Sequence, residues 1–183
     1  MLFFAFQDYS INQIAKKCSL APNGAYKILK KFEKEGILKF NKIANIISYE
    51  LNFDNEKTKS ILELTLIPGL EGRIKFRLDD LKELKKITQI CIMFGSYINP
   101  KKEPNDLDIL FIIDKKHYKY YKELSERLFK TIPVKVHDVL QTEEDFKKNL
   151  AKKDKVLMDI LNTGIILWGQ DKIIDLIEDE HKK

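Results

Sequence analysis

Phe94-Gly95-Ser96-Tyr97, followed after a short polar loop by Asn105-Asp106-Leu107-Asp108-Ile109-Leu110-Phe111-Ile112, is the stretch whose reading decides this chain. The second block alternates acidic and apolar residues, which predicts a strand with Asp106 and Asp108 on one face and Leu107 and Ile109 on the other. Carboxylates two residues apart on a strand stand roughly 6–7 Å from each other, close enough to grip divalent cations between them. Gly95-Ser96 supplies a tight turn with little side chain, so its backbone N–H groups and hydroxyl can come close to a phosphate. Together these parts point to a site for a metal ion and a nucleoside triphosphate. The bland alternative is a surface strand whose aspartates keep an edge soluble. It leaves the Phe-Gly-Ser turn without a purpose.

At these residues the chain resembles the minimal nucleotidyltransferases of the DNA polymerase β-like superfamily, whose mark is Gly-Ser, a short loop, then Asp-x-Asp on a strand. The resemblance spans roughly residues 85–170, because Gly164-Ile-Ile-Leu-Trp-Gly169 also looks like the apolar strand that closes those domains. It implies that Asp106 and Asp108 are catalytic metal ligands for Mg²⁺ or Mn²⁺, and that Gly95 and Ser96 bind the phosphates of a nucleoside triphosphate, with ATP expected. The loop Tyr97 to Pro104 lacks the arginine and glycine frequent in the family and offers Lys101 and Lys102 as phosphate contacts, point charges without a bidentate fork. The implied reaction passes a nucleoside monophosphate to a hydroxyl. No palm-side domain that would grip a long primer is recognisable, so a protein or small-molecule acceptor fits better than a nucleic-acid end. Small domains of this family often act as antitoxins that add AMP to a HEPN-type toxin, which makes such a toxin a candidate partner.

The superfamily also uses a third carboxylate from a neighbouring strand. Here that strand reads Val134-Lys135-Val136-His137-Asp138-Val139-Leu140. If Val134 and Val136 face the core, strict alternation turns Lys135, His137 and Val139 to the open face and Asp138 inward, whereas a bulge would exchange them. Counting back from Thr142-Glu143-Glu144-Asp145-Phe146, which also looks like the family, places His137 where the third aspartate usually stands. His137 is therefore a metal-side substitute, a general base, a sign that catalysis has decayed, or a structural histidine.

The 183 residues, 44% of them hydrophobic, can bury one good core or two small ones. Cys18 and Cys91 both sit in apolar patterns, which suits buried free thiols in a reducing cytoplasm. The opening Met1-Leu-Phe-Phe-Ala-Phe6 lacks a basic leader and is far shorter than the roughly 20 residues that cross a bilayer, so a cytoplasmic protein without a membrane anchor is expected. The net charge of +5 is carried mostly by lysine, with arginine only at 73, 77 and 127. Residues 1–50 hold eight lysines (16, 17, 27, 30, 31, 34, 39, 42) against four acids (Asp8, Glu33, Glu35, Glu50), so the basic excess belongs to the front of the chain.

In that front, Ser10 is a candidate N-cap, and Ile11, Ile14, Ala15 and Cys18 form the stripe of a short helix. A second helix opens at Pro22, carries Ala25, Ile28, Leu29 and Phe32, and stops at Gly36. A hairpin of Ile37 to Phe40 and Ile46 to Leu51 follows. This order resembles the winged helix-turn-helix of small regulators. The resemblance implies DNA contact through residues 1–53, with Asn23, Tyr26, Lys27, Lys30 and Lys31 on the second helix and Lys42 in the wing, and a homodimer as a candidate state. A solvated helix face in a lysine-rich protein is the plainer reading of the same charges.

The expected architecture is α+β: residues 1–53 as a winged helix-turn-helix, 54–86 as a helical linker, and 87–183 as a nucleotidyltransferase-like domain whose mixed sheet is covered by helices on one face. Two functional readings follow, a metal-dependent nucleotidyltransferase with a DNA-binding front, and a non-catalytic DNA-binding regulator that keeps a degenerate transferase body. A third is a partner-binding module with an idle helix-turn-helix.

Overall fold

A computed structural model describes residues 9–43, 46–69 and 72–181. The apolar opening Met1 to Phe6, the tip of the expected hairpin and residues 70 and 71 of the expected linker lie outside them. The chain divides into two units between Thr65 and Leu66.

The first unit follows from local chemistry. After β1 (Tyr9–Ser10), the Ser10 hydroxyl accepts from the Gln13 N–H at 3.4 Å while the Gln13 side chain accepts from the Ser10 N–H at 2.8 Å, a capping box that starts α1 (Ile11–Lys17). Pro22 occupies the first turn of α2 (Pro22–Lys34), where its missing N–H costs nothing. β2 (Leu38–Ile43) and β3 (Ile46–Leu51) pair antiparallel, and β1 joins the far edge of β3, giving the order β1-β3-β2. α3 (Glu56–Leu66) follows, with the Thr58 hydroxyl donating to the Ile37 carbonyl at 3.4 Å. Ile14, Ala15, Ala25, Leu29, Ile37, Leu38, Tyr49, Leu51 and Leu62 are buried. Two expected core positions are outside it: Cys18 is exposed because α1 ends at Lys17, and Ile28 is 44% exposed because α2 buries only the narrow Ala25–Leu29 stripe.

The second unit begins with α4 (Gly72–Leu81) and is built on β4 (Thr88–Phe94), β5 (Asp106–Ile113), β6 (Lys135–Gln141) and β7 (Ile165–Trp168) in the order β6-β5-β4-β7. β4 pairs antiparallel with β5 and β7, whereas β5 and β6 are parallel and so need a crossover, supplied by α5 (Tyr118–Phe129). One sheet face, with Cys91, Met93, Leu107, Ile109, Phe111 and Trp168, packs with Leu81, Leu84, Tyr121 and Leu124. Phe111 meets Tyr121 edge-on at 5.5 Å, and the buried Trp168 indole N–H donates to the Thr88 hydroxyl at 3.1 Å.

The other face is not left open along its length, contrary to the expectation drawn from alternation at Asp106 and Asp108. Ile90, Ile92, Leu110 and Ile112 lie on the aspartates' side of the sheet and are completely buried. Three helices supply cover: α6 (Glu143–Ala151) packs against β5 and β6, and α7 (Lys155–Thr163) and α8 (Gln170–His181) against β4. The physical reason lies in the sequence, since the unbroken run Leu110-Phe111-Ile112-Ile113 is apolar on both faces and a strand so composed needs covering twice. The face stays open at the Asp106–Asp108 end and along the edge strand β6, where Lys135, His137 and Val139 are exposed. Among the described residues the whole is a mixed α+β structure of eight α-helices and two sheets, and no helix is long and apolar enough to cross a membrane.

Candidate metal centre

β4 runs straight into the turn that shapes the centre. Phe94 pairs with Asp108 across the sheet, and the next residue, Gly95, takes φ of +74° and turns the chain into a single 3₁₀ turn, Gly95–Ile98. A Cβ at Gly95 would strike the Asp108 carboxylate, whose Cγ would lie 3.2 Å away. Glycine is therefore demanded twice, by backbone conformation and by the acid beside it. Ser96 then donates its hydroxyl to Asp106 Oδ1 at 3.4 Å. The Gly-Ser pair thus serves both aspartates, one residue making room and the other orienting a carboxylate.

The parallel register of β5 and β6 sets Asp106 opposite Lys135 and Asp108 opposite His137. β6 keeps strict alternation: Lys135, His137 and Val139 are exposed, and Val136, Asp138 and Leu140 are partly buried. His137 Nδ1 stands 3.5 Å from Asp108 Oδ1 and 3.7 Å from Asp106 Oδ2. These separations exceed a good hydrogen bond. One donor atom from each of the three side chains falls within 4.8 Å of the others, which suits a cation bound at about 2.1 Å, whose ligand atoms are roughly 3–4.2 Å apart. With 38%, 27% and 43% of the side chains of Asp106, Asp108 and His137 exposed, the cluster is reachable from solvent. The donor set of two carboxylates and an imidazole fits a divalent ion.

Asp138 is held away from this centre. Its carboxylate accepts from the Tyr121 hydroxyl at 2.9 Å, on the opposite face of β6 from His137. Burial, and then the charge of Asp138, push the Tyr121 phenol well above its ordinary pKa, so it stays a neutral donor. Tyr121→Phe is expected to lower unfolding free energy by about 1–3 kcal/mol, the cost of stranding a partly buried carboxylate, seen as a lower denaturant midpoint at unchanged m-value. A midpoint within error of wild type would mean that solvent already satisfies Asp138.

Lys101 and Lys102 are exposed on the loop after the Gly-Ser turn. A residue not foreseen as part of the site organises this loop. Arg73 on α4 donates to the Lys102 carbonyl at 2.9 Å and to the Asn99 carbonyl, and its guanidinium lies over the Tyr97 ring at 5.1 Å. The bonds span 29 and 26 residues, so no local pattern could announce them.

The other candidate residues lie in the first unit. Asn23, Tyr26 and Lys27 are exposed on α2 and Lys42 on β2. Lys30 bonds Glu33 at 2.8 Å and sits over the Phe40 ring at 5.5 Å, and Lys31 is 4.0 Å from Glu35.

A family model described as polymerase beta, nucleotidyltransferase, matches residues 78–173, which takes in α4's last turn, all four strands of the second sheet and the whole Asp106–Asp108–His137 cluster. No curated protein and no solved structure matches the chain.

Proposed function

The chain belongs to the polymerase beta nucleotidyltransferase family, and from that premise we propose that it passes a nucleoside monophosphate, most simply AMP from ATP, to a hydroxyl on a protein or small molecule. The observation that carries the reading is the convergence of Asp106, Asp108 and His137 within 4.8 Å beside a glycine shaped around Asp108. Asp106 and Asp108 hold the cation, Mg²⁺ or Mn²⁺, with His137 as the third donor. A divalent ion there would offset triphosphate charge and make the attacking hydroxyl more acidic. Gly95 and Ser96 leave room for the phosphates, and Lys101 and Lys102 approach them from the loop that Arg73 braces. Carboxylates alone would repel a triphosphate, so nucleotide binding is expected only with metal. Titration calorimetry of ATP, and then of the other triphosphates, with Mg²⁺ or Mn²⁺ is expected to give saturable binding that chelation of the metal abolishes. Absence of binding with every metal and every triphosphate would sink this reading.

The acceptor is open to a further expectation. A protein acceptor of the HEPN toxin type would make this an antitoxin-like enzyme, and a DNA-binding front end would suit control of its own expression. Co-purification of an adjacently encoded toxin that gains a nucleotide's mass on incubation with ATP is the matching measurement.

A second reading, a non-catalytic DNA-binding regulator, draws on the first unit, where two short helices joined by a tight turn are followed by an antiparallel hairpin. In a winged helix, Asn23, Tyr26 and Lys27 would face the major groove, while Lys30, Lys31 and Lys42 would neutralise phosphates. Duplex binding measured by fluorescence anisotropy across salt concentrations is then expected to weaken linearly in log–log form, and Lys42→Ala to reduce the slope by about 1. A slope unaffected by Lys42→Ala would remove the wing from the interface.

A further inference from the structure

We propose that Asp106, Asp108 and His137 select a first-row transition ion, of the Mn²⁺ to Zn²⁺ series, over Mg²⁺, and that they hold one such ion before any nucleotide arrives. The proposal rests on reading this cluster as the metal centre of nucleotidyl transfer and specifies which ion it takes.

The first ground is the donor set. Two carboxylate oxygens are hard donors that any of these ions accepts, but an imidazole nitrogen favours the transition series, and Mg²⁺ prefers oxygen and holds its water tightly. The second ground is that the nitrogen cannot readily be exchanged for a third carboxylate. Asp138 is the only acidic residue of β6, and the buried Tyr121 hydroxyl fastens it to the opposite face at 2.9 Å. A one-residue slip that brought Asp138 to the centre would strand the phenol and turn every side chain of the strand over.

Charge and geometry agree with a single ion. Two carboxylates carry −2, which one dication neutralises, and among the described residues Asp106, Asp108 and His137 form one group of three donor side chains. The distances of 3.5 and 3.7 Å from His137 Nδ1 to the two carboxylates lie in the range of neighbouring ligands around one ion bound at about 2.1 Å. The Ser96 hydroxyl, donating to Asp106 Oδ1, leaves Asp106 Oδ2 to face the imidazole, an outer contact that orients a ligand before metal binds. Partial exposure of all three side chains leaves other coordination positions open to water or a phosphate oxygen.

The test uses the full chain without nucleotide, titrated separately with Mn²⁺, Co²⁺ and Mg²⁺ by calorimetry, with pulsed electron paramagnetic resonance of the Mn²⁺-loaded protein to detect a directly bound nitrogen. The expected result is one Mn²⁺ or Co²⁺ per chain, bound at least tenfold tighter than Mg²⁺, with a nitrogen coupling. His137→Asp should keep a metal site, lose the coupling and narrow the Co²⁺-over-Mg²⁺ preference at least tenfold. His137 is surface-exposed, so the variant should fold, and its thermal midpoint checks that. A preference below tenfold in wild type, no nitrogen coupling, or the same preference in His137→Asp would overturn the proposal. A separate ATP titration keeps the two readings apart. Mg²⁺-dependent ATP binding without the ion preference would defeat this proposal and leave nucleotidyl transfer standing, while the expected ion binding without nucleotide binding under any metal would do the reverse.

Discussion

Asp106→Ala/Asp108→Ala is expected to abolish metal-dependent nucleotide binding, with an affinity loss of at least 100-fold. Two of the three donors at the centre vanish together, and with them all of its negative charge, leaving a single imidazole that cannot hold a dication against water. A hydrogen bond or ion contact to a charged group is worth about 1.5–3 kcal/mol, so the loss of two such ligands corresponds to roughly two to four powers of ten. The same substitution should leave folding intact or improve it slightly. In the metal-free protein the two carboxylates repel each other on one strand face, and both are partly exposed, so neither supports the core. Calorimetric titration of ATP with Mn²⁺, read beside thermal unfolding, separates the effects. Wild-type affinity in the double variant would place the nucleotide elsewhere and remove the structural basis of the proposed activity.

Gly95→Ala should be nearly as damaging, although it removes nothing. At φ of +74° any residue with a Cβ costs about 1–2 kcal/mol, and this Cβ would point at the Asp108 carboxylate. Relief requires Asp108 to turn or β5 to shift, and a displacement on the order of 1 Å at a reacting centre costs about 100-fold in rate. The expected signature is therefore a modest fall in thermal midpoint with a disproportionate loss of nucleotide binding and transfer. Gly24→Ala is the matched control. Gly24 is helical in α2, a Cβ there would meet nothing within 4 Å, and alanine should be neutral or stabilising by up to about 1 kcal/mol. If Gly95→Ala retained full binding at reduced stability, the turn would be a folding element rather than part of the site.

Much of the fold is legible because it is encoded locally. Ser10 as the N-cap of α1, Pro22 at the start of α2, and the alternation of Asp106 to Ile109 each depend on residues a few positions apart, and each appears in the structure where the pattern puts it. The Thr142–Asp145 capping box starts α6 in the same way. Cys18 misleads because its place at i+7 in an apolar stripe presumes a helix longer than the one that forms. The expectation of an open sheet face fails for a related reason: alternation at two aspartates does not extend along a strand whose later residues are apolar on both sides.

By itself, the sequence determined that a strand would present two carboxylates beside a glycine turn, since side-chain alternation and glycine's φ range are properties of a few consecutive residues. Which third group faces them was decided only by tertiary structure. His137 and Asp138 are adjacent in the chain and point to opposite faces, and the choice between them was made by the parallel register of β5 with β6 and the Tyr121–Asp138 hydrogen bond. Arg73 reached its loop in the same way, across 26 and 29 residues. Contacts of that range have no periodic signature, because they are set by how whole elements pack and not by the backbone geometry that makes the elements.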